Sequence, residues 1–415
     1  MPEKKADCMG FTPLIVYVFF KGVSAFLLAM IFTVAPLYRI NEVGMNPFQL
    51  MLVGMVLEAA AFLFEIPTGI VADTYSRKLS IIIGVCLMGL ASVLEGLVPV
   101  LGPILVAWAI WGLGFTFTSG ATDAWMVDEI GEERSRQAFV RAAQIAQIGT
   151  LVGIVVGMSL GSIQLNLPIW VGGLLMVALG LMLIVIMPET GFHPTPRAER
   201  SSWAQMRHTF VAGTKVIRTR PILMTILTVG TIVGASGEGL DRLWQYHFET
   251  SFRFPTVSEL TPIMWFGMIS AMATLLSIGA AELLNRHMTE ITDRSVARTL
   301  LLIDGMRLVS ILAFALAGNF LLTVVAFCAT SALRTINGST LCNVAESQHP
   351  FVCSLHRTLN EWPDRLARPN RGWASVWCHR QCFDPFGNGG GWAGGWSSAS
   401  TLLACGPDNQ HRRDR

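Results

Sequence analysis

Long apolar stretches separated by short polar joints set the architecture of this chain. Ten stretches reach the length of about twenty residues that a helix needs to cross a bilayer. They cover 11–36, 46–68, 79–100, 103–127, 142–164, 168–187, 222–246, 259–284, 299–317 and 319–337. Turn residues punctuate several joints, with VGMNP after the first stretch, LGP after the third, LNLP after the fifth and AGN after the ninth. The joint at 188–221 is longer. It opens Pro-rich, then carries Trp203, Met206, Phe210, Val211 and Ile217 on a helical period with basic residues opposite. That pattern predicts an amphipathic helix over 202–218 lying on a membrane surface. The expected layout is a six-helix half over 1–187, a connector over 188–221 and an incomplete second half of four helices over 222–340.

The pattern stops at 341. Residues 341–415 hold no apolar run long enough to span, yet they hold five of the eight Cys, four of the eight His and five of the twelve Trp. Two readings of this non-membrane tail stay open. It is a disordered segment, consistent with the low-complexity stretch GNGGGWAGGWSSAS. Alternatively it is out-of-frame translation, which accounts for the joint rise in Trp, Cys, His and Arg; the other two reading frames of the gene would then encode two further apolar spans.

Composition agrees with the pattern. Of 415 residues, 52% are hydrophobic and 14% charged, where a soluble domain carries about 25% charged residues. The class is an all-α polytopic membrane protein with the lipid bilayer as its surroundings. A net charge of +2 does not suggest a nucleic-acid partner. The cysteines lack zinc-finger or disulfide-framework spacing, and His379 between Cys378 and Cys382 has no matching second pair, so no metal site is expected. No enzyme signature is present, and without a Walker loop ATP is not the expected energy source. No cofactor is expected either. The start, MPEKKADCMG, is basic before the first apolar run, lacks an A-x-A-like cleavage site and reads as a retained helix, not a signal peptide. Counting Lys and Arg along alternate joints places sixteen on the side of the N-terminus and two, Arg39 and Arg253, on the other. The bias predicts a multi-pass protein of the cell membrane with a cytoplasmic N-terminus.

The joint between the second and third spans reads GIVADTYSRKLS. Gly69, Asp73, Arg77 and Lys78 resemble the loop signature G-x-x-x-D-x-x-G-R-[RK] of the major facilitator superfamily, with Ser76 in place of the second Gly. The corresponding second-half joint, GAAELLNRHMTEITDR, keeps only Gly279 and nearby bases. The resemblance covers roughly 10–340 and implies a two-half helical bundle, with about ten spans visible where the family has twelve. It also implies secondary transport of a small molecule by alternating access. In that family such a charge cluster latches the cytoplasmic side in the outward-open state. Chemically, Gly69 permits close helix approach, Asp73 can face the start of a new helix, and Arg77 can reach Asp123, Asp128 or Glu129 at the end of span four.

Charges inside apolar spans are costly, about 2.5–3.5 kcal/mol each at mid-bilayer on insertion scales, and need a reason. Lys21 and Glu58 are expected to pair across a cavity, or one of them to carry protons or contact substrate. Gly234, Gly237 and Gly239 interrupt the seventh span around Glu238, Asp241 and Arg242, the look of a transporter site; Asp241 and Arg242 alternatively form a structural pair. Asp304 and Arg307 are expected to neutralise one another. Asp123 is expected to join Arg141 or Gln144, and Glu95 to reach water. Gly149, Gly153, Gly157 and Gly161 recur every four residues and predict a tightly packed helix face. Ile154 stands where exporters of the family carry Pro in span five, and span four lacks their Arg-x-x-Gln-Gly pattern. The expected function is proton-coupled efflux of drugs or other amphipathic compounds. The alternatives are proton-coupled uptake of a sugar or other metabolite, and a truncated, inactive family member.

Overall fold

The computed structural model describes residues 12–192, 237–254, 261–287 and 293–347. Every regular element among them is an α-helix. In chain order these are α1 (Pro13–Asn41), α2 (Pro47–Thr74), α3 (Arg77–Leu97), α4 (Leu101–Ser119), α5 (Ala121–Ile130), α6 (Glu132–Gly161) and α7 (Leu167–Ile186). The second half holds α8 (237–251), then α9 (Pro262–His287), α10 (Asp293–Leu316) and α11 (Phe320–Ser347). Eight stretches are long and apolar enough to cross a membrane, α4 and α5 together making one of them. α8 and α10 supply the described parts of the expected seventh and ninth spans. The expected amphipathic helix at 202–218 and the tail from 348 onward lie outside the described residues. α11 itself continues to Ser347, past the expected boundary at 340.

Local chemistry explains the helix ends. Asn46 caps α2 by accepting from the Gln49 amide while the Gln49 side chain accepts from the Asn46 amide, with Pro47 at the first helical position. The fourth span, expected as one helix over 103–127, breaks at Gly120. The residues before the break turn their hydroxyls onto their own backbone: Thr116 onto Leu113 O, Thr118 onto Phe115 O and Ser119 onto Thr116 O. Such bonds compete with the helical ladder. Gly131, at φ 82°, then reverses the chain into α6.

In the first half α1 packs along α6, and α3 lies between α4 and α7. The α1–α6 seam follows the glycine repeat. A Cβ at Gly149, Gly153 or Gly157 would run into the backbone carbonyl of Gly22, Phe26 or Met30 respectively, so the two backbones touch turn by turn. In the second half α11 packs on both α9 and α10. Its core is aromatic: Trp244, Phe248, Phe266, Phe314 and Phe327 meet edge-on or stacked at centroid distances of 4.4–6.3 Å. That core includes Val34 and Leu37 from the end of α1. Gly161 of α6 also abuts Ile263 of α9. Contacts between the halves therefore run toward the end of the bundle where α1 finishes, away from the joint that carries Arg77.

Candidate functional site

Four groups of charged side chains stand among the described residues of the bundle. The first is the joint between α2 and α3. Ser76 caps α3 by accepting from the Leu79 amide at 2.9 Å, and Arg77 and Lys78 open the helix. Arg77 Nε lies 3.1 Å from Asp128 Oδ2 of α5, and its Nη2 lies 3.8 Å from Asp73 Oδ1 one turn back on α2. Three expectations change here. Asp73 closes α2 instead of facing the start of α3, and the carboxylate at the α3 N-terminus is Glu189. Glu189 accepts from the Ser76 hydroxyl at 2.7 and 2.9 Å and from the Lys78 amide at 3.0 Å, where the helix dipole favours an anion. Gly69 has nothing within 4 Å of a Cβ position, so close approach is not its reason here. Glu129 does not meet Arg77; it accepts from the Thr190 amide and hydroxyl and the Gly191 amide. Lys78 Nζ donates to the Ile184 carbonyl at 2.8 Å.

The second group lies inside the first half. Lys21 Nζ is 3.2 Å from Asp123 Oδ1, and the Tyr17 hydroxyl donates to the same oxygen at 2.7 Å. Lys21 thus pairs with Asp123 and not with Glu58, and Asp123 joins neither Arg141 nor Gln144. Lys21 remains 37% exposed at its side chain, whereas Asp123 is 8% exposed.

The third group spans the halves. Arg242 of α8 donates from Nε to Glu238 one turn earlier at 2.7 Å, and its guanidinium carbon lies 5.4 Å from the ring centre of Trp108 on α4. Gly54 of α2 makes room for this pair, since a Cβ there would lie 2.7 Å from Arg242 Nε and 3.1 Å from Glu238 Oε1. Glu58, one turn further along the same face of α2, interacts electrostatically with both Glu238 and Arg242. Asp241 does not pair with its neighbour Arg242. It accepts both bonds, at 2.7 and 2.8 Å, from Nη1 of Arg334 on α11. Asp304 accepts from the Asn337 side chain and acts electrostatically on Arg307 without forming a close ion pair with it.

Glu95 is a further correction. It is buried and ion-paired with Arg39 at 2.6 Å, accepts from Trp108 Nε1 at 2.9 Å, and its own carbonyl takes the Tyr38 hydroxyl at 3.0 Å. Arg39 stacks over the Trp108 ring at 4.5 Å. Trp108 thereby links the Arg39–Glu95 pair to Arg242. It also heads a stacked ladder with Trp111 and Phe115, each step 5.8 Å, with Phe32 of α1 alongside. Sequence reasoning missed Glu189, Arg334, Asn337 and Trp108. For Arg334 a signal existed, since it is a charge within an apolar span.

Comparison with known proteins gives the geometry its context. The profile described as Major Facilitator Superfamily matches residues 18–349. A relative from Bacillus subtilis (strain 168), described as the uncharacterized MFS-type transporter YxaM, is 25% identical over 202 residues; the match spans 48% of this chain and 49% of the relative, about half of each. Among solved structures, the nucleoside transporter NupG superposes with a TM-score of 0.61 at 14% identity, covering 95% of this chain and 96% of that one. The peptide transporter POT in complex with sulfate gives 0.63 at 13% identity, covering 95% and 94%. A bacterial homolog of the human lysosomal transporter Spinster, in an inward-facing and occupied conformation, gives 0.59 at 15%, covering 94% and 83%. With the profile matching residues 18–349, most of its length, this chain belongs to the Major Facilitator Superfamily.

Proposed function

We propose that this chain exports amphipathic organic compounds by proton antiport, from a cell membrane in which its N-terminus is cytoplasmic. One observation carries the coupling: Gly54 of the first half abuts the Glu238–Arg242 pair of the second, and Glu58 follows one turn along the same face of α2. The other ion pairs described above stay within one half: Lys21–Asp123, Arg39–Glu95, Asp241–Arg334 and Arg77–Asp128. Rocking of the halves leaves those intact and separates Glu58 from its counterparts. Two carboxylates beside one guanidinium carry an excess negative charge, and a proton cancels it. Proton binding and the relative position of the halves are thus linked through one cluster. The aromatic ladder of Trp108, Trp111 and Phe115 backs the cluster with an apolar first-half wall, in keeping with a path for amphipathic compounds. Positive-inside counting puts the Asp73–Arg77–Asp128 cluster on the cytoplasmic side, where it braces the first-half face of the gate by tying α2 and α3 to α5, with Lys78 anchored to the end of α7.

Transport in inverted and right-side-out vesicles under an imposed pH gradient tests this reading. Wild type moves a fluorescent amphiphile against the proton flow in one vesicle orientation, and Glu58→Gln and Glu238→Gln abolish the dependence on the gradient. Gradient-driven transport unchanged in both variants refutes the coupling site; accumulation with the proton flow refutes export.

A further inference from the structure

The mechanism above leaves one buried cation unused. Arg307 sits on the buried stripe of α10, in line with Ile303, Ser310 and Phe314, while Leu302, Met306, Leu308, Val309 and Leu312 around it are exposed. It is itself 7% exposed. Among the described residues it has no ion-pair or hydrogen-bond partner, and its Nε is buried and unsatisfied. Its nearest sequence acid, Asp304, is taken by Asn337, and Asp241 is taken by Nη1 of Arg334. A buried guanidinium whose nearest acids, Asp241 and Asp304, act on it only from beyond ion-pair distance is costly in a membrane, and such a residue marks a functional site.

Gly237 of α8 shows what the arrangement is built for. A Cβ on Gly237 would lie 2.8 Å from Nη2 of Arg307 and 3.9 Å from Nη2 of Arg334. Two guanidinium nitrogens from α10 and α11 thus converge on one bare stretch of backbone, close enough for a single oxyanion to meet both. An apolar cavity of about 260 Å³ lies between α8 and α10, lined by Leu240, Leu243, Trp244, His247, Ile311 and Phe314. Ile311 and Phe314 continue the face of Arg307 at four and seven residues, and Leu240 and Trp244 continue that of Gly237. Arg307 and Gly237, where the two guanidinium groups converge, thus stand on the same helix faces that line the cavity, one turn before it.

We propose that Arg307 and Arg334 hold the carboxylate or phosphate head of an amphipathic anion whose apolar body fills the α8–α10 cavity. This rests on the transport reading above and narrows its cargo to organic anions. Charge-assisted, two-nitrogen contact with an oxyanion is what planar guanidinium groups do best. Arg334, already tethered by Asp241, is the fixed member of the pair, and Arg307 is the one whose binding capacity is free.

Three probes with one body and different heads test it: naphthalene-1-carboxylate, 1-naphthylmethanol and 1-naphthylmethylammonium. Equilibrium binding is measured to the purified full chain in phosphatidylcholine nanodiscs. The carboxylate is expected to bind about tenfold or more tighter than the alcohol, the scale of one charge-assisted contact, and the ammonium most weakly. Arg307→Gln brings the carboxylate down to the affinity of the alcohol while the alcohol is unchanged, and Arg307→Lys restores part of the difference. Adding phosphatidylglycerol separates two sources of the same chemistry. Displacement of the carboxylate assigns the site to lipid headgroups, and its retention assigns it to a soluble cargo; both uphold the oxyanion site. A wild type that does not prefer the carboxylate, or an Arg307→Gln protein that keeps the preference, overturns it. The wild-type comparison needs no variant to fold. Binding in nanodiscs involves no proton gradient, so a failed head-group preference overturns this site alone, and a failed gradient dependence in vesicles overturns the coupling reading alone.

Discussion

The Arg39–Glu95 pair gives a stability prediction whose size follows from its surroundings. Both side chains are nearly fully buried, at 5% and 4% exposure, with Arg39 Nε 2.6 Å from the carboxylate. The second Glu95 oxygen accepts from Trp108 Nε1, and Arg39 Nη2 already lacks a partner. Glu95→Gln keeps the volume and an acceptor for the indole but leaves the Arg39 charge with only the Trp108 face. Breaking one side of such a pair costs about 3–5 kcal/mol, and a desolvated cation–π contact of about 2 kcal/mol is present before and after. Arg39→Met strands the opposite charge and costs a similar amount. The double variant strands neither, and its amide still accepts from Trp108, so its expected loss is below about 2 kcal/mol. The cycle is read from thermal unfolding midpoints of purified protein at one scan rate, supported by the monodisperse fraction after heating. Losses that simply add would show that the two charges are not coupled and would refute the reasoning.

The helix seam and the capped joint supply further tests by the same melting assay. Gly157→Ala places a Cβ 2.6 Å from the Met30 carbonyl and is expected to cost about 1–3 kcal/mol, whereas Gly69→Ala, with open space around it, is expected to change stability by no more than about 1 kcal/mol, toward greater stability. Ser76→Ala removes the α3 cap and a partner of Glu189, with an expected loss of about 1 kcal/mol; an unchanged midpoint would mean that water replaces the hydroxyl. Asp128→Asn takes from Arg77 its closest acid and leaves Asp73 at 3.8 Å. Vesicle flux is expected to fall with a melting midpoint near that of wild type, and a parallel loss of both would assign the pair to folding instead of gating.

The architecture was legible because bilayer crossing is decided by local sequence: a long enough apolar run needs no partner to be recognised. The glycine repeat of α6 was legible for a related reason. Four-residue spacing fixes a helix face before any neighbour is known, and α1 lies against that face. The break at Gly120 was less visible, since it depends on hydroxyls at 116, 118 and 119 turning back onto the helix. Glu189 was out of reach. It lies 113 residues from Ser76 in a Pro-rich joint, and only the return of α7 to the same end of the bundle brings it to the α3 N-terminus.

The intramembrane charges show where spacing misleads. Asp241 and Arg242 are adjacent in sequence, and adjacency invites a pair. On a helix, however, neighbours point about 100° apart and do not face each other. Helix geometry therefore requires two partners in two directions: Asp241 turns to Arg334 on α11, and Arg242 stays on its own helix with Glu238 while facing Trp108 of the first half. Asp304 and Arg307 obey the opposite constraint. Their three-residue spacing permits a pair, yet a better-placed amide on α11 takes the acid. Spacing thus limits which charges can meet, and tertiary packing selects among those that can. A base whose permitted acids are hydrogen-bonded elsewhere is left with donors to spare. Among the described residues that base is Arg307, whose buried Nε has no hydrogen-bond partner and is open to the oxyanion proposed above.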